Sequence, residues 1–125
     1  MRSRVRNLEG GITVVDCAGK LTLDRGASTL HHTVLDLFYA GHTRVILNFS
    51  EVTRVDCAGL GELVSLFKLT GEIGAELRLT NLSQRVKQLL DLTQLLSVFG
   101  DIPDEQSAVA SLPKATEIEM KEVTV

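Results

Sequence analysis

Between Val5 and Ala18 polar and apolar residues alternate on both sides of Gly10-Gly11. That pattern predicts two antiparallel strands joined at a dipeptide that tolerates positive φ. Ile12, Val14 and Val15 carry much of the apolar content of the second strand, and Gly19 closes it. The period then changes. From about Arg25 to Ala40 the apolar residues Ala27, Leu30, Val34, Leu37 and Phe38 recur three or four positions apart, one stripe of a helix that Gly41 ends. Arg44-Val45-Ile46-Leu47-Asn48-Phe49 is nearly continuous in apolar character, as expected of a central strand covered by helices on at least one face.

Leu60, Leu63, Val64 and Phe67 restore the helical spacing, and Gly71 and Gly74 bound the turn that follows. Residues 75–80 alternate strictly, which predicts a strand with Leu77 and Leu79 inward and its charges on a wet face. Ser83 is placed to cap a third helix carrying Val86, Leu89, Leu90 and Thr93. Val98-Phe99 reads as a short last strand. Pro103-Asp104 opens a fourth helix with Ala108, Val109 and Leu112 inward, and Pro113 stops it. The predicted order is ββαβαβαβα, an α/β domain with a mixed sheet of about five strands and crossover helices. Its expected extent is 1–112. The tail, 113–125, is expected to be a mobile end, with an added strand or a docking peptide as the alternative because Ile118, Met120 and Val123 alternate with charges.

Composition narrows the function. A chain of 125 residues with 44% hydrophobic and 23% charged positions fits one globular domain. The net charge of −3 comes with scattered basic residues, so no nucleic-acid partner is expected. Met1-Arg2-Ser3-Arg4 leads into alternation rather than an apolar signal segment, and no run nears the roughly 20 apolar residues of a membrane span, so a cytoplasmic protein without membrane insertion is expected. Cys17 and Cys57 lack C-x-x-C spacing, which favours reduced thiols. His31-His32 point to different helix faces and His42 follows the helix, a poor metal set, so a solvated face and no metal are expected. No nucleophile triad, phosphate loop or dinucleotide fingerprint is visible, so neither an enzyme nor a cofactor is expected.

The most unusual stretch is Val52-Thr53-Arg54-Val55-Asp56-Cys57-Ala58-Gly59-Leu60-Gly61, which joins the central strand to a helix. Small residues and two glycines let another group approach a helix start, where free N–H groups and the helix dipole lie. Such a turn presents a side chain to a partner. The plainer reading is that Asp56 caps the helix and the glycines permit tight packing. Cys57 is also weighed as a redox or metal-sensing thiol, against an inert small residue.

Asp56-Cys57-Ala58-Gly59-Leu60-Gly61 resembles the D-S-S-G-L-G or D-S-T-G-L-G motif of the anti-sigma factor antagonists, a STAS-domain family, at the same place between strand and helix. Gly19-Lys20-Leu21 is similar to the family's G-x-L, 44–49 to its central strand, and 82–93 with 95–99 to its third-helix region. The resemblance covers roughly residues 5–112. It implies a protein that binds an anti-sigma factor with serine kinase activity by partner switching, is released from that partner by phosphorylation, and is a monomer when free. The family's phosphoacceptor is the serine after the motif Asp, and Cys57 and Ala58 stand where the hydroxyl residues belong. The implied binding surface is therefore Thr22, Asp24, Asp56, Cys57, Ala58, Gly59, Leu60 and Gly61, without the usual phosphorylation switch. Many relatives carry Asp directly after G-x-L; Thr22 takes that place here, unless a shift lets Asp24 serve. Two other readings remain open: a STAS accessory or ligand-binding subunit of a transport or sensory assembly, and a structural subunit stacking on copies of itself.

Overall fold

A computed structural model of the chain describes residues 1–23, 26–100 and 102–112. Strand β1 (Arg2–Leu8) turns through Glu9, Gly10 and Gly11 into β2 (Ile12–Leu21), with both glycines at positive φ, 81° and 74°. Helix α1 (Gly26–Tyr39), β3 (Arg44–Val55), α2 (Cys57–Ile73) and β4 (Glu76–Thr80) follow in alternation. The chain then runs through α3 (Gln84–Leu92), α4 (Leu96–Phe99) and α5 (Glu105–Ser111). The sheet order is β1-β2-β3-β4, antiparallel for the first pair and parallel for the others. α1 and α2 are therefore crossovers between neighbouring parallel strands.

Alternation within the strands sorts two cores. Val15, Cys17, Val45, Leu47, Phe49, Leu77 and Leu79 face α1 to α4, where Leu30, Val34, Leu63, Leu66 and Leu90 complete a large apolar cluster. The opposite face carries a smaller one, Ile12, Val14 and Ile46 beneath Ala108 and Leu112 of α5. Arg6, Val14, Ile46 and Arg78 stand side by side across the four strands, and α5 lies along this row. At its start Glu105 accepts a 2.6 Å bond from Arg6, and at its end the Ser111 hydroxyl accepts one of 3.1 Å from Arg78. The face of β4 expected to be wet is thus half-covered.

Several expectations need correction. Among the described residues the sheet has four strands where about five were expected, because 98–99 belong to helix α4 and the order is ββαβαβααα. The cause is tertiary: a helical turn sets the Phe99 ring edge-on to Phe67, with centroids 5.2 Å apart, which overrides strand propensity. β2 continues through Gly19 to Leu21, and β3 continues past Phe49 to Val55, since Val52 and Val55 also reach the core. Gly71 lies inside α2, which ends at Gly74. In α2 the buried stripe is Leu60, Leu63, Leu66 and Thr70, while Val64 is 42% exposed. This helix is apolar on more than one side, so spacing alone does not fix its rotation. The tail expectation, for 113–125, lies outside the described residues.

Candidate docking surface

Val55 ends β3, and the next residue, Asp56, turns the chain into α2 with extended backbone angles of φ −106° and ψ −173°. Its carboxylate accepts the Gly59 amide at 2.9 Å, an N-cap, and the Leu23 amide at 3.0 Å. Its own amide donates to the Leu21 carbonyl at 3.3 Å. One side chain therefore ties the end of β2 to the head of α2. The amides of Gly59 and then Leu23 hold the Asp56 carboxyl below the usual carboxylate range, because both bonds favour the ionised form.

Two glycines make this junction compact. A Cβ at Gly59 would lie 2.2 Å from the Leu21 carbonyl oxygen, and one at Gly26 would lie 2.0 Å from that of Lys20. The end of β2 is thus gripped between the heads of α1 and α2 at a distance no larger residue allows. Gly61 differs, with nothing within 4 Å of the place its Cβ would take.

The plain reading of the motif, a cap with tight glycine packing, describes Asp56 and Gly59 correctly. Of the predicted surface residues, Cys57 and Gly61 are exposed, and Thr22, Asp56 and Ala58 are half-buried. Gly59 is buried and Leu60 is 7% exposed, so both build the corner from within. Asp24 lies outside the described residues. The sequence reading missed Leu23, which Asp56 holds at the corner with its side chain 77% exposed, and Val64. Cys57, Gly61 and Val64 follow at i, i+4 and i+7, one strip of α2 that begins beside Leu23. Only the helical spacing of the strip was available in the sequence; the Leu23 contact joins residues 33 positions apart.

Next to the strip, His31 of α1 meets Glu62 of α2 through its Nδ1, and His32 packs edge-on to it with ring centroids 5.7 Å apart. His31 therefore braces two helices, where a solvated face was expected. Thr22 carries a hydroxyl within the corner, Thr53 on β3 donates to the Gly19 carbonyl at 3.2 Å, and Ser50 is exposed farther back on that strand. The two thiols have opposite surroundings. Cys17 is buried, and burial, with Asp16 adding repulsion, pushes its thiol up to about 12, whereas Cys57 faces solvent. Among the described residues no three His, Cys, Asp or Glu side chains converge as a metal site, and no helix is long and apolar enough to cross a membrane.

Chemically the corner is a rigid projection with a thiol at its tip, an occupied carboxylate behind it and apolar or bare backbone along one helix face. That arrangement offers shape and apolar contact rather than a reacting pair.

A model of the STAS domain matches residues 6–108. An anti-sigma-B factor antagonist from Bacillus subtilis (strain 168) is 40% identical over 49 residues, which is 39% of this chain and 45% of that protein, so the match spans under half the relative's length. An anti-sigma factor antagonist from Mycobacterium paratuberculosis superposes with a TM-score of 0.76 at 17% identity, covering 88% of this chain and 92% of that one. The murine Solute Carrier 26 family member A9 anion transporter contains a similar fold, with a TM-score of 0.69 at 21% identity over 81% of this chain and 17% of the transporter.

Proposed function

This chain belongs to the STAS domain family, and on that premise we propose that it is an anti-sigma factor antagonist which docks through the head of α2 and is not switched off by phosphorylation there. The partner is an anti-sigma factor with serine kinase activity. The docking surface comprises Thr22, Asp24, Cys57, Ala58 and Gly61, extended by Leu23 and Val64, with Asp56, Gly59 and Leu60 holding its shape.

The observation that carries the reading is the corner's combination of rigidity and exposure. Asp56 fixes two segments by three hydrogen bonds, and yet the thiol of Cys57 stands in solvent at the family's phosphoserine position. In relatives with serine there, a phosphate would add nearly two negative charges beside the ionised Asp56 and break docking by repulsion and desolvation. Cys57 and Ala58 offer no hydroxyl for that transfer, so the surface stays competent to bind.

The test is calorimetric titration of the protein with an anti-sigma kinase from the same genome, with and without magnesium and ATP, followed by intact-mass measurement. Binding is expected to be the same in both conditions, with no phosphate attached. Cys57→Glu is expected to weaken binding by about tenfold or more while the far-ultraviolet dichroism stays native, since an unpaired charge is buried at the contact. Cys57→Ser is expected to become phosphorylated and then to release the partner. Phosphate on Ser50 or Thr53 of the unaltered protein with loss of binding would refute the proposal. A native pull-down that recovered transporter subunits and no anti-sigma factor would turn the reading to an accessory role.

A further inference from the structure

The side of the sheet that carries α5 is only partly covered. α5 lies along the row Arg6, Val14, Ile46 and Arg78, and the rows beyond it, toward the head of α2, stand open. They are Arg4 beside Asp16 and Asn48, then Arg2 beside Ala18 and Glu51, then Lys20 beside Arg54. A groove of about 430 Å³ lies here, lined by Arg2, Arg4, Asp16, Asn48, Ser50 and Glu51. Its basic residues are scattered along the sequence, and only the pairing of β1 with β2 and of β2 with β3 gathers them.

The floor of the groove is already engaged. Asp16 Oδ1 accepts from Arg6 at 2.9 Å and from Asn48 at 2.8 Å, and Asn48 Oδ1 accepts from Asn81 at 3.0 Å and from the Ser50 amide at 3.1 Å. Arg2, Arg4, Lys20 and Arg54 are exposed and make no ion pair or side-chain hydrogen bond among the described residues. These rows thus set four unengaged cations against the exposed carboxylate of Glu51, on a chain whose net charge is −3. Like charges held side by side raise a local potential that an opposite charge relieves. Arg54 stands two residues before Asp56, and its charge adds to the Gly59 and Leu23 amides in favouring the ionised form of that carboxylate, so the basic face runs into the docking corner.

We infer that this open half of the sheet face takes an extended acidic segment of the partner that grips the corner; the identity of that partner rests on the docking proposal, while the chemistry of the groove does not. Arg4, Arg2 and Lys20 fall in three successive rows, about 6.6 Å apart along the strands, which is the spacing of alternate side chains in an extended chain. Arginine holds a carboxylate through two parallel N–H bonds, so a segment with an acid at every second position meets a cation in each row. A nucleic acid fits less well, because Glu51 lies among the cations and the three rows carry no aromatic side chain on which a base could stack.

Two titrations test the inference. In the first, nuclear magnetic resonance follows the labelled protein as it receives a peptide of about eight residues alternating glutamate and serine, or the same peptide with glutamine for glutamate. The amides of Arg4, Ala18 and Lys20 are expected to shift with the acidic peptide alone. The shifts are expected to fade as salt rises from about 0.05 to about 0.5 M and to vanish in the Arg4→Glu, Lys20→Glu variant. Absence of shifts, shifts of equal size with the glutamine peptide or in the variant, or tighter binding of a thymidine oligonucleotide would overturn the inference. In the second, calorimetric titration with an anti-sigma kinase from the same genome, the variant is expected to bind about tenfold more weakly or worse, with a shallower salt dependence. An affinity unchanged by this variant but lowered by Cys57→Glu would overturn the inference and leave the docking proposal standing. If the kinase fails to bind the unaltered protein, the docking proposal falls and the peptide titration alone decides about the groove. Should a thermal melt show the charge-reversed variant unfolded, Arg4→Gln, Lys20→Gln takes its place, with a loss of about threefold expected.

Discussion

The two faces of the sheet are built by different means. On one, α1 to α4 bury a continuous apolar cluster that includes Val15, Leu47, Phe49, Leu63, Leu66 and Leu90. On the other, the short helix α5 covers Ile12, Val14 and Ile46 and is fastened at both ends by arginines. Arg6 is the centre of that fastening. It pairs with Asp16 at 2.6 Å and with Glu105 at 2.6 Å, while Asn48 donates to Asp16 at 2.8 Å. The difference teaches where stability and function reside. The four-helix face supplies most of the hydrophobic stabilisation and also sets the docking corner, whereas the α5 face relies on fewer apolar contacts and half-exposed ion pairs, which contribute little each.

The largest expected contrast is in core truncation. Leu63→Ala removes a side chain with no exposure from the four-helix face and is expected to cost about 3–5 kcal/mol. Leu112→Ala, at the C-cap of α5, is expected to cost about 2 kcal/mol, because a short helix held by few apolar contacts can settle into the space. Urea denaturation of both variants checks this; equal losses would erase the distinction between the faces.

A smaller effect separates two glycines of one helix. Gly59→Ala brings a methyl group against the Leu21 carbonyl and is expected to cost roughly 1–3 kcal/mol through displacement of α2 from β2. Gly61→Ala enters open space in a helix and is expected to stabilise by roughly 0.5–1 kcal/mol. Thermal melts of the two variants should shift in opposite directions. Two shifts of the same sign would break the account of Gly59 as a close-approach residue.

The smallest effect expected is on acid stability. The Arg6 guanidinium, with help from Asn48, holds the Asp16 carboxyl below its ordinary value, and the Gly59 and Leu23 amides do the same for Asp56. A carboxylate whose pKa is lower in the folded state contributes stability that is present above its unfolded value, near pH 4, and is lost as pH falls through the folded value. Asp16→Asn and Asp56→Asn are each expected to flatten the fall in urea midpoint between pH 5 and pH 2, one from each side of the comparison. A fall as steep as in the unaltered protein would show that the group takes no part.

Much of the fold was legible because its signals are local. The Gly10-Gly11 turn, the period of the first helix, the central strand, the caps Asp56 and Ser83, and the start of α5 at Asp104 all depend on residues within a few positions of one another. Of the two motif glycines read as permitting close approach, Gly59 does so against Leu21 and Gly61 does not. Val98-Phe99 misled because two apolar residues suit a strand or a helix equally, and Phe67 settles the choice from another helix.

The sequence by itself determined the order of elements as far as α3, the position of the hairpin and the cap that starts α2, since each follows from backbone preferences and side chains close along the chain. Only the tertiary structure decided which side of α2 is buried, that Leu23 stands exposed at the corner, and that α5 lies along the row from Arg6 to Arg78. Those outcomes rest on contacts between residues tens of positions apart, whose energies depend on how helices and strands meet in space and leave no period in the chain.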